Sequence, residues 1–292
     1  QDAQELLLEG ATDFVSDVLF TADGSRLISF HINGDIHTWD VTTGEPIDYL
    51  QMPLLQFRDL ALMPDGQTFL SLTAAQFSQF AIWDLNDFSI RRLFGHHFDT
   101  FQEFQDNFVT APATFDLNYI AYAVHPNGTR VVAVNMNEGL NMFKLPNGDM
   151  SVLTPSSEPP AQLGITHMQF TADGSALYYS DIRNEDDGSL LLRMDFNGEQ
   201  PSEPVALARG GSPFALSADD ARLAWFEQPE DQPATLYQSS PDQQDIAPLF
   251  ALEGHLVPRG RTLAYTSDGA YLVFGGLIAL DWANALFVIP AS

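Results

Sequence analysis

The sequence predicts an all-β fold, a six-bladed β-propeller whose blades are four-stranded antiparallel sheets. Three observations carry this expectation. A tight-turn signature recurs six times, as "TADG" at 21–24, "MPDG" at 63–66, "HPNG" at 125–128, "TADG" at 171–174, "SADD" at 217–220 and "TSDG" at 266–269. Short apolar runs flank every copy. Read from Asp23 through Asp65, Asn127, Asp173, Asp219 and Asp268, the copies stand 42, 62, 46, 46 and 49 residues apart, near the ~40–45 residues that four strands and their turns occupy in one blade.

Each element follows from local chemistry. Asp or Asn before Gly suits a hairpin turn, because Gly takes positive φ without steric cost and the short polar side chain bonds the nearby backbone. Ahead of the turns lie "DVLF", "DLAL", "AYAV", "HMQF", "FAL" and "LAY"; behind them lie "RLISF", "TFLSL", "RVVAV", "ALYYS", "RLAWF" and "YLVF". Their length, their β-branched and aromatic content and the bounding turns make them the first and second strands of each blade. A third run follows a looser connection, as "DIHTWDV", "FAIWDL", "LNMFKL", "LLLRMDF", "TLYQ" and "ALFVIP". A fourth, "EPIDYL", "SIRRLF", "MSVL", "EPVAL" or "APLF", completes five of the six units. The strand-like "QELLL" at 4–8 is expected to complete the last blade, which would remove the open edges that invite aggregation. Residues 1–292 thus read as one propeller domain. The interval of 62 residues holds an insertion at 96–116, a loop or short helix between blades two and three.

"TWDV" and "IWDL" end the third strands of blades one and two, and "NGDIHTWD" joins a turn, an alternating strand and a Trp-Asp ending. Gly95-His96 and Gly254-His255 precede blades three and six. In these features the chain resembles the WD-repeat propellers, and the similarity spans essentially its whole length. In that family such a His joins an Asp, a Ser or Thr and the Trp in a buried hydrogen-bond chain that knits a blade. Trp-Asp is absent from the other four blades, where "MFKL", "RMDF" and "LYQS" stand at the corresponding place in three of them. "LLLRMDFNGEQ" is similar instead to the six-bladed propellers of the Tol system.

Composition bounds the function. With 45% hydrophobic and 12% aromatic residues the chain can bury a substantial core. Its 39 acidic residues against 12 basic ones give a formal charge of −27, and Lys144 is its only lysine. Such a field repels nucleic acid and anionic membrane surfaces. No apolar run approaches the roughly 18–20 residues of a membrane-spanning helix, so membrane insertion is not expected. Absence of cysteine excludes disulfides and thiolate chemistry. Scarce lysine with abundant Asp, Gln, Ser and Thr favours an exported bacterial protein, periplasmic, extracellular or on the cell surface, while a start at Gln1 fits a processed export signal and an excised domain equally.

Candidate function lies in the connections, because propeller blades are filled core. The connections from second to third strands, and from one blade to the next, are the long acidic ones. In the insertion, Asp99, Glu103 and Asp106 alternate with Phe98, Phe101, Phe104 and Phe108, whose spacing would align the four rings on one side of a short helix. Glu185, Asp186 and Asp187 lie in "IRNEDDG", and Glu227, Glu230 and Asp231 in "EQPEDQPA". Aromatic anchors among oriented acids suit a basic protein partner; the same acids also serve solubility, and the same rings also pack an insertion against a blade. "NEDDG" at 184–188 and "DLND" at 84–87 cluster oxygen ligands without the spacing of a calcium loop. His96, His97 and Asp99 lack a metal-binding helical pattern, and no metal or cofactor is expected. His31, His37, His125, His167 and His255, scattered across separate blades, read as structural. No nucleophile elbow, phosphate loop or His-Glu-x-x-His motif occurs. "NGT" at 127–129 is a glycosylation triplet placed in a hairpin turn.

The reading that follows is a noncatalytic interaction or scaffold propeller, a peripheral subunit of an envelope or surface assembly that binds through its acidic loop-rich face. The alternative is a small-ligand, calcium-binding or hydrolytic propeller with its site at the channel mouth. A third is an interaction domain of a longer chain.

Overall fold

The computed structural model describes residues 15–291, apart from 22, 32, 52–56, 75–77, 95–118, 136–138, 146–147, 156–164, 185–187, 197–200, 211–212, 228–233, 244, 252–255, 267 and 279–282. Among the described residues every regular element is a β-strand, and six small antiparallel sheets succeed one another along the chain in the β-propeller arrangement. Five sheets have four strands and the last has three. Residues 1–14, which include the run expected to complete that last sheet, lie outside the described residues. The chain divides into two compact units, Gln1–Tyr119 with Lys144–Asp149, and Ile120–Phe143 with Met150–Ser292.

The first unit carries blade one, β1 (Val15–Phe20) to β4 (Pro46–Gln51) through β2 (Arg26–His31) and β3 (Asp35–Asp40). It also carries blade two, β5 (Phe57–Leu62), β6 (Thr68–Ala74), β7 (Ser78–Asp84) and β8 (Ile90–Phe94). The strands of each blade pair in sequence order. β3 is buried along nearly its whole length while β4 is almost wholly exposed. A middle strand is covered by neighbours that leave an outermost strand open, and in β3 the buried residues include the polar Asp35, His37 and Thr38 beside Ile36 and Trp39. The core between these blades joins Phe30 to Phe69, edge to face at 5.3 Å between ring centroids, with Ile28, Ile36 and Trp83 around them.

Blade three follows as β9 (Tyr119–Val124), β10 (Arg130–Asn135), β11 (Gly139–Lys144) and β12 (Asp149–Pro155). Blade four holds β13 (Ile165–Phe170), β14 (Ala176–Asn184), β15 (Gly188–Asp195) and β16 (Val205–Arg209). Blade five holds β17 (Phe214–Leu216), β18 (Leu223–Glu227), β19 (Thr235–Ser239) and β20 (Ala247–Ala251). Blade six is β21 (Leu256–Tyr265), β22 (Tyr271–Ile278) and β23 (Ala283–Pro290). Within the second unit, Tyr178, Phe214 and Trp225 centre a cluster spanning blades four and five. Phe226, Leu236, Leu263 and Leu272 do the same for blades five and six.

The repeated turn signature has one physical basis. In blade one, Thr21 Oγ1 donates to Asp23 Oδ1 at 2.6 Å, the Ser25 amide donates to the same carboxylate at 3.0 Å, and the Arg26 amide donates back to Thr21 Oγ1 at 3.1 Å. Thr171 and Asp173, Ser217 and Asp219, and Thr266 and Asp268 repeat that network. These hydrogen bonds hold the Asp23 and Asp173 carboxyls down at about 2. In blade three Asn127 takes the Asp position, its Oδ1 accepting from the Thr129 amide at 3.0 Å and the Thr129 hydroxyl at 2.6 Å.

In the second unit the same turns tie neighbouring blades together. The Ala172 amide of blade four donates to Asp220 Oδ2 of blade five at 2.6 Å. Arg222 of blade five reaches blade six, donating to the carbonyls of Gly269 at 2.5 Å and Ala291 at 3.0 Å while lying 5.2 Å over the Tyr265 ring. Burial raises the Asp220 carboxyl, partly opposed by the Ala172 amide and reinforced by Asp173 and Asp219.

Candidate functional site

Antiparallel order sorts the connections of every blade. The first-to-second and third-to-fourth turns share one end, and the second-to-third and blade-to-blade connections share the other. In blade four the β14–β15 pairing runs out to Asn184 and Gly188; in blade five the β18–β19 pairing runs out to Glu227 and Thr235. The Ala172 to Asp220 bond sets the tight-turn ends of these two blades side by side. Their opposite strand ends, which lead into 185–187 and 228–233, therefore also share a side of the second unit. The insertion connects β8 to β9 and leaves blade two at the end away from its tight turn.

The residues nominated from sequence, Phe98, Asp99, Phe101, Glu103, Phe104, Asp106, Phe108, Glu185, Asp186, Asp187, Glu230 and Asp231, all lie outside the described residues, as do His96, His97 and His255. Glu227 is described, at the end of β18. In the "DLND" stretch Asp84 is paired with Arg91 at 2.6 Å and Asp87 accepts the Ser89 amide at 2.9 Å, so both carboxylates serve their own turn. Among the described residues no group of three His, Asp or Glu side chains is placed to hold a metal ion.

A constellation that sequence reasoning missed stands at the loop end of blade one. His31 and His37, read from sequence as spread over the blades, share this one, with ring centroids 4.8 Å apart. The "SFHINGDIHTW" hairpin explains it. Period 2 puts Ser29 and His31 on one face of β2 and Asp35, His37 and Trp39 on one face of β3, and the register sets Ser29 opposite His37. The indole of Trp39 donates to Ser29 Oγ at 2.9 Å, and Ser29 Oγ lies 3.0 Å from His31 Nε2. With the indole hydrogen directed at the serine oxygen, the hydroxyl hydrogen is free to point at the imidazole. Asp35 is buried, its carboxylate taking Tyr49 OH at 3.0 Å and Asn33 Nδ2 at 2.7 Å. His37 lies between Trp39, stacked at 5.4 Å, and Tyr49, tilted at 4.8 Å.

A serine 3.0 Å from a histidine is the spacing of a nucleophile and its base. Here Ser29 is buried and its oxygen receives the Trp39 indole. The geometry is that of a lock across β2 and β3, and Asp35 extends it to β4 through Tyr49. Blade two repeats the central bond, Trp83 Nε1 donating to Ser71 Oγ at 2.7 Å.

One member of the cluster has a buried ring nitrogen with no partner, Nε2 of His37. Burial pushes the His37 imidazole below its ordinary value near 6.5, His31 pushes the same way, and Asp35 opposes them. Above about pH 6.5 both folded and unfolded chains carry His37 neutral, so it adds no pH dependence there. Below that value the unfolded chain takes the proton first, so stability falls as pH drops from about 6.5 toward the folded value. Replacing His37 with Phe is expected to flatten the melting temperature between pH 7 and 5.5 relative to the unaltered chain. Equal slopes for the two proteins would show that His37 does not titrate against folding.

No protein-family model matches the chain, and no curated protein matches it. The class defined by fold and connections is the β-propeller. Among the described residues no helix is long and apolar enough to cross a membrane.

Proposed function

We propose that this chain is a noncatalytic interaction propeller, of WD-repeat character in its first two blades, that docks a basic protein partner through the loop end of its blades. The observation that carries the reading is the sorting of connections. Hydrogen-bonded turns occupy one end of blades four and five, while their acidic connections leave from the other. A surface whose connections are long and of one charge sign is suited to steering an oppositely charged partner. The Trp39 to Ser29 and Trp83 to Ser71 bonds support the WD-repeat likeness. Export and service as a peripheral subunit of an envelope or surface assembly accord with scarce lysine and abundant Asp, Gln, Ser and Thr.

The experiment is a native pulldown with three proteins: the intact chain, one with 97–115 replaced by a short Gly-Ser linker, and one carrying Glu185→Gln, Asp186→Asn, Asp187→Asn, Glu230→Gln and Asp231→Asn. A stoichiometric basic partner is expected with the first, reduced or lost with the others at unchanged circular dichroism, and released by raised salt. Equal capture by all three would remove the loop end from the interface.

A further inference from the structure

At the other end of the first unit, between the tight turns of blades one and two, lies a cleft of about 330 Å3. Its floor is apolar, with Ile28 and Leu85 both buried. Thr38 also lines it and is only 5% exposed. Its hydroxyl makes no hydrogen bond with any described residue. Arg26 and Gln67 stand on the rim, both exposed, and neither side chain has a partner among the described residues.

Arg26 is exposed on that rim, and its guanidinium makes no ion pair among the described residues. In a chain with 39 acids and 12 bases, an arginine has many carboxylates to choose from. Two stand close in the fold: Asp40 sits directly across the β2–β3 ladder from Arg26, and Asp23 shares the cleft. Each gives one carboxylate oxygen to its own turn instead. Asp40 Oδ1 accepts the amides of Thr42 at 2.8 Å and Thr43 at 2.9 Å, and Asp23 Oδ1 accepts Thr21 and Ser25. The cleft thus gathers a planar cationic fork, a threonine hydroxyl and a side-chain amide above an apolar floor.

We propose that this cleft binds a small monocarboxylate. A guanidinium matches a carboxylate in a two-bond fork, and the Thr38 hydroxyl and Gln67 amide supply further donors. Ile28 and Leu85 accept the apolar part of the ligand, and the volume lies at the small end of ligand cavities. A single charge is specified because the field of a chain at −27, with Asp23 on the rim, repels each added negative charge and so selects against phosphate and polyacids. The carboxylate could belong to a free short acid or to the end of a peptide, and the chemistry read by the cleft is the same. The site is separate from the loop-end surface, so either reading can fail while the other stands.

The test is a nuclear magnetic resonance titration of the intact chain with N-acetylalanine, its amide, inorganic phosphate and an acetylated tripeptide bearing a free C terminus. N-acetylalanine is expected to saturate in the millimolar range and to shift the Thr38 and Gln67 signals, with the amide and phosphate at least about tenfold weaker. Arg26→Gln should weaken the acid about tenfold or more and abolish the preference over the amide, while Arg26→Lys retains part of it. Thr38→Val should weaken it severalfold. Tighter binding of the tripeptide would identify a chain terminus as the source, and its exclusion a free acid. The proposal is overturned if no acid perturbs the cleft at tens of millimolar, if acid and amide bind alike, or if Arg26→Gln titrates like the unaltered chain with unchanged circular dichroism.

Discussion

Replacing Gly210 with alanine is expected to cost about 3 kcal/mol of stability. Gly210 follows β16 and ends blade four, its amide bonded to the Ser189 carbonyl at 2.7 Å and its φ at +81. That conformation alone costs an L-residue about 1–2 kcal/mol. Space adds the rest, since a Cβ would stand 2.4 Å from the Phe226 carbonyl oxygen and 2.9 Å from Glu227 Cα. Both contacts are backbone of β18 in blade five, which has no rotamer to change. Relief therefore requires parting strands of adjacent blades, around a core that holds Trp225 and Leu191. For a chain of this size, ~2 °C per kcal/mol implies a melting temperature lower by about 6 °C. Gly24 is the control, because its φ is also positive while no atom lies within 4 Å of a Cβ placed there. Its alanine variant should show the conformational cost alone, and a Gly210 variant no less stable than the Gly24 variant would refute the steric argument.

The blades were legible because their determinants are local. Thr21, Asp23 and Ser25 bond one another within five residues, so the turn is written in consecutive letters and recurs wherever they do. Ties between blades are not local, and their letters look like defects. "SADD" reads as a turn that has lost its glycine, yet Asp220 takes the positive φ itself, at 54°, and uses its carboxylate to cap Ala172 in the preceding blade. Arg222 likewise reads as a strand residue until Gly269 and Ala291 appear beside it. The polar cluster of blade one lies between these cases. Alternation along β2 and β3 did contain it, but only strand register brings His31 against His37 and Asp35 against Tyr49. The nominated acids belong to connections with no period to read, and the helical spacing of Phe98, Phe101, Phe104 and Phe108 fixes at most one face of their own stretch, so the sequence argues for the character of these residues and not for their placement. The Arg26 cleft had no sequence signature because its meaning lies in what Asp23 and Asp40 do elsewhere.

The second large effect separates two buried tryptophans by the fate of one hydrogen. Trp39 and Trp225 are both almost fully buried, so changing either to Phe removes comparable apolar volume. At Trp39 the change also removes the donor to Ser29 Oγ, loosens the serine that faces His31, and takes away the ring stacked on His37. Lost packing and a lost buried hydrogen bond together should destabilise by about 2–3 kcal/mol. Trp225 is on β18, where its ring stacks on Tyr237 at 5.9 Å and its Nε1 has no partner. An unsatisfied buried donor already costs about 1–3 kcal/mol, so removing it offsets much of the packing loss. Trp225→Phe is therefore expected to fall within about 1 kcal/mol of the unaltered chain. Urea unfolding of both variants, with Trp83→Phe as a second bonded case expected to resemble Trp39→Phe, decides the matter. Equal losses at all three positions would mean that volume alone governs these sites and that the Trp to Ser bonds contribute nothing. The ordering Trp39 and Trp83 well above Trp225 would identify the indole to serine bond as the interaction holding the second and third strands of blades one and two in register.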